Sequence, residues 1–531
     1  MSRTASWVVL IGVVPVTMLA VTGVLVGFNV FAFTESPVTA VKIAIGVVPT
    51  VLVLGRGLWV LASPIDNPVR GIPVREHEQP ELWALVRTLA EVAGTAPPHD
   101  IHLIADANAA VMEDTRLLGL ISTRRHMFIG APLVAELSAA QFAAVLTHEL
   151  AHYSNRDTRF AGSAYRSRRA FVHTLTTINR DDHLQRALHF LLQHIGTLAL
   201  RASTTLSRRQ ESAADAAAAT AVGSAVTVAA FRELAPIVWS WNVFLDEHLM
   251  TGWSAGYLPA DAFSGYRKLR ASLHDEMADL RADPPDEADP YDAHPPLSER
   301  IAAVDALGAA GTVRVPAGNA LGLLRNPAPL LDAALLDGLG PEARAKRHVD
   351  WPTLVRIGGL ASLTGHTDRV LTNAARLTGG PPTLRTLLDA LDAGLLVDLG
   401  AHPNGPAEPS EGPRVRWARA RLITRDGLFG AVVATLTEAG AVRWLESWPS
   451  AGTMRLDTRY RHSLPQLVDA AVAAPPDTAG LRRLLDSVGQ PHGGPERRGT
   501  AAEDEDTRPL RHAQGSQTPR PVGEGLHRAS P

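Results

Sequence analysis

The chain contains no cysteine. That excludes disulfide scaffolds, thiol nucleophiles, iron–sulfur clusters and every thiolate-ligated zinc site, so any bound metal has to be held by His, Asp or Glu. Lysine is almost as scarce. Only Lys42, Lys268 and Lys346 occur, so 48 of the 51 basic residues are arginine (51 − 3). With abundant Ala, Gly and Pro, this reads as a GC-rich bacterial coding sequence, which bears on source alone. Aromatic residues make up 5% of the chain, and the net charge of −3 at pH 7 gives no global electrostatic footprint for nucleic acid. Apolar residues are plentiful, at 46% of 531 positions, enough for more than one core.

Those apolar residues are unevenly spread. No charged residue occurs from Thr4 to Thr34, and Val8–Phe33 is almost wholly apolar. This exceeds the roughly 20 residues that cross a bilayer as a helix. A second apolar stretch runs from Val38 to Ala62, interrupted only by Lys42 and Arg56, which can snorkel near its two ends. The expectation is a transmembrane helical hairpin over residues 1–65. A cleaved signal peptide would have a shorter apolar core and a small-residue cleavage signal after it; a single span with a re-entrant segment is the other alternative. Arg3 precedes the hairpin, and Arg56, Arg70 and Arg75 follow it. The positive-inside rule then predicts a multi-pass protein of the plasma membrane, in contact with the lipid bilayer, with everything downstream cytoplasmic.

Downstream, Leu82, Leu85, Val86, Leu89 and Val92 repeat at helical spacing within Glu78–Ala93, between Pro80 and Gly94. Short strand-like runs follow at Ile101–Ala105, Ala109–Met112 and His126–Ile129. Ser138 and Gln141 then fit a capping box before Phe142, Val145 and Leu146. Helical patterning continues to about Ala235, with a stop expected at Pro236, and resumes at Leu297–Leu307. Past Pro341, the stretches Leu384–Leu399 and Val432–Trp448 echo each other as apolar helix, Ala-Gly and a strand-like end. They predict a small mixed α/β-type domain over residues 341–489, whose role no residue specifies. Residues 490–531 hold almost no large apolar side chain and read as a disordered tail. The fold class expected is α+β, mainly helical.

Within the capped helix stands His148-Glu149-Leu150-Ala151-His152. Residues four apart share a helix face, so both imidazoles can reach one metal ion, and Glu149 would flank it where a water binds. A solvated helix face would give the same pattern by chance. Two histidines also leave a catalytic zinc one protein ligand short. Ser207–Asp215 supplies carboxylates at Glu211 and Asp215, again four apart. Glu211 could be the third ligand, and Asp215 could accept from a ligand histidine's other nitrogen and fix its tautomer.

These features resemble the membrane-bound gluzincin zinc metalloprotease family of the HtpX heat-shock proteases and CAAX prenyl proteases. The resemblance rests on the N-terminal hairpin, His148-Glu149-x-x-His152, Ser207-Arg208-x-x-Glu211-x-x-Ala214-Asp215, and His294-Pro295-Pro296-Leu297-Ser298-Glu299-Arg300-Ile301. It covers about residues 1–310 and implies a gluzincin-type peptidase domain over residues 66–310. It further implies one Zn2+ per chain on His148, His152 and Glu211, with Glu149 as catalytic base and Asp215 behind the ligands. His294 falls where the family has a histidine suited to stabilising an oxyanion; the alternative is a residue leading into the helix before Pro295. Asn108-Ala109-Ala110 resembles the edge strand on which the family lays its substrate, or is an ordinary turn.

Family members often carry further spans between the two metal segments. Here His183–Leu200 is broken by Arg186, His189, Gln193 and His194 and reads as a core or interfacial helix. Arg156, Arg159, Arg166, Arg168 and Arg169 before it form either a solvated face or a contact with anionic lipid. The implied function is a membrane-anchored zinc-dependent metalloendopeptidase in membrane protein quality control or processing. Its partners would be unfolded polypeptides or membrane-protein segments, and not nucleic acid. Two alternatives stay open: a receptor-type membrane peptidase that signals by cleaving a repressor, and a non-catalytic membrane scaffold.

Overall fold

The computed structural model describes residues 3–62, 70–116, 121–154, 190, 208–285, 295–401, 412–450 and 452–488. The chain is mainly helical, with small sheets. It divides into two compact units: residues 1–242 with 273–344, and residues 243–272 with 345–531.

In the first unit, α1 (Arg3–Glu35) and α2 (Pro37–Ala62) form a hairpin turned at Ser36. Val16–Glu35 and Pro37–Arg56 are long and apolar enough to cross a membrane. Met18 and Leu54 are buried between the helices, and the Asn29 side-chain amide donates to the Ala40 carbonyl at 3.2 Å. Val24, Val38, Ile45 and Trp59 face outward and stay exposed. An apolar outer surface of this kind suits lipid rather than water.

Next comes β1 (Ile72–Pro73), then α3 (Pro80–Val92), β2 (Asp100–Ile104), β3 (Ala109–Arg116) and β4 (Ile121–Gly130). The sheet order is β1-β2-β4-β3, with β2 and β4 parallel and the other pairs antiparallel. Ile101, Leu103, Met127 and Ile129 alternate along their strands and are buried, which fixes the register. β3 is an edge strand. The three strand-like runs expected from the sequence are therefore present. Short α4 (Ala131–Glu136) leads into α5 (Ala139–Ser154). The capping box is complete: Ser138 Oγ accepts from the Gln141 backbone N–H at 3.2 Å, and Gln141 Oε1 accepts from the Ser138 N–H at 3.0 Å.

Helix α6 (208–222) turns at Gly223 into α7 (Ser224–Val243). Gly223 has φ +98°, and a Cβ there would press on the Ala310 carbonyl, so only glycine suits the turn. Contrary to the stop expected at Pro236, α7 runs through it to Val243. Proline removes one backbone hydrogen bond, but Ile237, Ser240 and Trp241 continue the buried face past it. α8 (Leu297–Leu307) has the bounds read from the sequence, and Gly308 ends it in the left-handed conformation. Its Val304, with Leu297 and Ile301 beside it, packs on Ala219 of α6 and Phe231 of α7. Three helices thereby meet at one place.

The second unit is also mostly helical. Within it α9 (Trp351–Thr378), α10 (Leu384–Asp392), α11 (Leu396–Leu399) and α12 (Pro413–Glu438) gather a core around Leu387, Leu391, Leu428 and Val432. One correction to the sequence reading lies here. The first of the two echoing stretches ends in helix α11, not a strand, because Leu396 and Leu399 both bury on one helical face between Gly394 and Gly400. The second does end in a strand, Val442–Leu445, paired antiparallel with Thr453–Leu456. The His183–Leu200 segment (apart from residue 190), the arginines from Arg156 to Arg169 and residues 490–531 lie outside the described residues.

Candidate metal centre

α5 presents His148 and His152 one turn apart, their rings edge to face with centroids 4.9 Å apart. Leu146, Leu150 and Ala151 bury the rest of that helix. α6 brings up Glu211 and Asp215 from a surface of buried alanines (Ala214, Ala218, Ala219 and Ala221). Small side chains there let the helix backbone come close.

The Nε2 atoms of His148 and His152 face each other at 3.3 Å. Glu211 contributes Oε2 at 3.5 Å from His148 Nε2, and Oε1 at 3.7 Å from His152 Nε2. Ligands about 2.0–2.1 Å from a tetrahedral zinc stand roughly 3.3 Å from one another, so these spacings fit a single ion. Together the three residues form a group able to hold a metal. His148 and Glu211 are buried and His152 is half-buried, so the site is screened but not closed.

The other nitrogen of His148 settles its tautomer. Nδ1 lies 2.9 Å from Asp215 Oδ1, an ionised carboxylate that can only accept. The proton is therefore on Nδ1, and the Nε2 lone pair points at Glu211 and His152. Asp215 is itself held by Arg300 of α8, whose Nε and Nη2 donate to Oδ2 and Oδ1 at 3.0 and 2.7 Å. Burial pushes the Asp215 carboxyl up, but the hydrogen bonds from His148 and Arg300 outweigh it and hold it below its ordinary range. The Arg300 guanidinium also lies over the Phe231 ring at 4.5 Å, and Nη2 is 3.7 Å from Glu211 Oε2. Burial alone would pull Arg300 down, yet these carboxylates raise it, so it stays charged.

Glu149 is half-buried beside the histidines. Tyr153, the residue after His152, ties α5 to the sheet: its hydroxyl donates to the His126 carbonyl of β4 at 2.5 Å, with the Met112 carbonyl of β3 at 3.4 Å. Burial pushes its phenol well above the ordinary range, so the hydroxyl remains a donor.

The structure thus brings together His148, Glu149, His152, Glu211 and Asp215. Asn108 precedes the edge strand, where its Oδ1 accepts from the Ala109 N–H at 2.9 Å, and Ala109 and Ala110 open β3. His294 lies outside the described residues. Sequence reasoning gave Arg300 no role, although it stands in the histidine-proline segment singled out there. A half-buried arginine one turn into a helix, opposite a carboxylate 85 residues earlier, has no local signature.

Residues 76–307 match the model of peptidase family M48. No curated protein and no solved structure matches the chain significantly.

Proposed function

We propose, from the match of residues 76–307 to the model of peptidase family M48, the family of the HtpX and CAAX prenyl proteases, that the protein is a membrane-anchored zinc metalloendopeptidase. The observation that carries this reading is the mutual spacing of His148 Nε2, His152 Nε2 and Glu211, with the His148 tautomer fixed by Asp215. His148, His152 and Glu211 are the ligands of one zinc. When bound, that ion supplies Lewis acidity, lowering the pKa of a water to about 7 and polarising a carbonyl.

The chain's own residues do the remainder. Glu149 takes the proton of the attacking water and returns it to the leaving amine. Asp215 accepts from His148 Nδ1 and keeps the ring aligned, and Arg300 neutralises the buried Asp215 charge. The free side of β3 beyond Asn108-Ala109-Ala110 offers backbone groups to an extended substrate. Adding a strand this way favours unfolded segments over compact domains, which suits quality control or processing of membrane proteins. The two apolar helices anchor the chain, and under the positive-inside rule the arginines flanking them favour a cytoplasmic side for the catalytic residues.

The test is Glu149→Gln in the full chain in detergent micelles, assayed on an unfolded protein. Zinc content should stay at that of the parent while cleavage falls by about 10²–10⁴-fold, the usual share of a general base. Undiminished proteolysis would overturn the mechanism.

A further inference from the structure

We propose that Asp100, His102 and His126 form a second divalent-metal site, built on the sheet and independent of the helix-borne cluster. β2 and β4 run parallel with Asp100 opposite His126, and Asp100 and His102 are two residues apart on one strand. Alternation therefore puts all three on one face of the sheet. Each offers a ligand atom, and these atoms lie within 4.8 Å of one another.

His126 carries the argument. It is 3% exposed, and its Nε2 lies 3.1 Å from Asp114 Oδ2 on β3. In the neutral imidazole the Asp114 carboxylate takes the N–H, so the proton sits on Nε2 and Nδ1 keeps a lone pair. Among the described residues Nδ1 has no hydrogen-bond partner, and it lies 3.3 Å from Asp100 Oδ2. The neutral ring thus turns a buried lone pair toward the half-buried Asp100 carboxylate, an unfavourable pairing that a cation between them relieves. The spacing is also that of neighbouring ligands on a tetrahedral ion, roughly 3.3 Å. His102 Nδ1 is likewise buried without a hydrogen-bond partner. A carboxylate behind a ligand histidine, as Asp114 stands behind His126, is the usual arrangement for orienting an imidazole on a metal.

Two imidazoles and one carboxylate suit zinc and neighbouring first-row ions such as cobalt or nickel. One group opposes them. Arg124 donates to both Asp100 oxygens, at 2.6 and 3.0 Å. Its side chain is 58% exposed and free to swing into solvent. Arg124 and the ion compete for the same carboxylate, which sets the affinity below that of a dedicated site. Bound there, the ion clips β2 to β4. Its pull reaches α5 through the His126 carbonyl, which accepts from Tyr153.

The experiment uses Zn2+ titrated into the full chain in detergent, in a His148→Ala/His152→Ala background lacking the helix-borne imidazoles. One saturable zinc should remain. Adding His102→Phe, which keeps a ring against Phe128, should weaken it at least tenfold, and Asp100→Asn likewise. Adding Arg124→Ala should instead tighten binding severalfold, which general damage to the sheet cannot do. No saturable zinc in the background protein, zinc binding indifferent to His102→Phe, or weaker binding with Arg124→Ala would each overturn the proposal.

Discussion

In both clusters of the first unit two imidazoles face one carboxylate, a second carboxylate stands behind one of the rings, and an arginine completes the set, yet the arginine is placed differently. On the helices, Arg300 grips Asp215, the carboxylate behind the ligands, and Glu211 is left to face the histidines. On the sheet, Arg124 grips Asp100, the carboxylate that would itself be a ligand. The same residue types thus give one candidate site whose ligand carboxylate is left open to a metal and one where an ion would have to displace a charge. Which carboxylate the arginine holds matters more than how many ligands are present.

The comparison can be broken most decisively at Glu211. Glu211→Ala should remove the tightly held zinc and with it all detectable proteolysis, read by elemental analysis and peptide cleavage, while any zinc on the sheet remains. Next in size is the loss of two or more orders of magnitude in rate expected for Glu149→Gln. A third buried histidine, with no carboxylate beside it among the described residues, supplies a reference. His248 in the second unit stacks on Trp448, and burial pulls its pKa down to about 4, against an opposing hydrogen bond with the Trp448 backbone. Its folded pKa lies below the unfolded value of about 6.5, so the unfolded chain binds more protons between those values and stability rises with pH there. Acidifying from pH 7 to 4 should cost this unit on the order of 3 kcal/mol, followed by denaturant titration, and His248→Leu should flatten the profile. Asp215→Asn should weaken zinc at the helices about 10–100-fold, the usual effect of losing a partner behind a ligand. The smallest change is the severalfold tightening at the sheet with Arg124→Ala.

How much was legible in the sequence follows from how local each signal is. The Ser138/Gln141 cap, the two-histidine turn and the Glu211/Asp215 turn are all set by residues within one helical turn, and each is found where it was read. The bounds of α8 were equally local, with Pro296 before it and Gly308 after. Pro236 misled because one lost hydrogen bond is outweighed by the continued burial of Ile237 and Trp241. Leu396–Leu399 misled because a short, mostly apolar run between glycines, broken only by Asp398, fits a strand as well as a helical turn. Arg300 and the sheet cluster were not readable at all. The first depends on α8 packing against α6 and α7, and the second on the parallel register that sets Asp100 opposite His126.

The chain's path between its two units has a consequence for dissecting the protein. It leaves the first unit at Asn242, returns at Leu273, and leaves again after Arg344. The piece between, which supplies Arg300, is thus joined at both ends to sequence of the second unit. Residues 243–272 find their partners in sequence that comes much later: Tyr257–Pro259 pairs with Arg347–Val349, and Phe244 meets the Trp351 ring with centroids 6.0 Å apart. A stop codon after Arg344 would therefore not trim off a separable module. It would leave a thirty-residue internal excursion stripped of its packing, with Leu258, Phe263 and Tyr266 turned out to water. A fragment carrying only the peptidase residues would need that excursion replaced by a short polar linker before its folding could be judged.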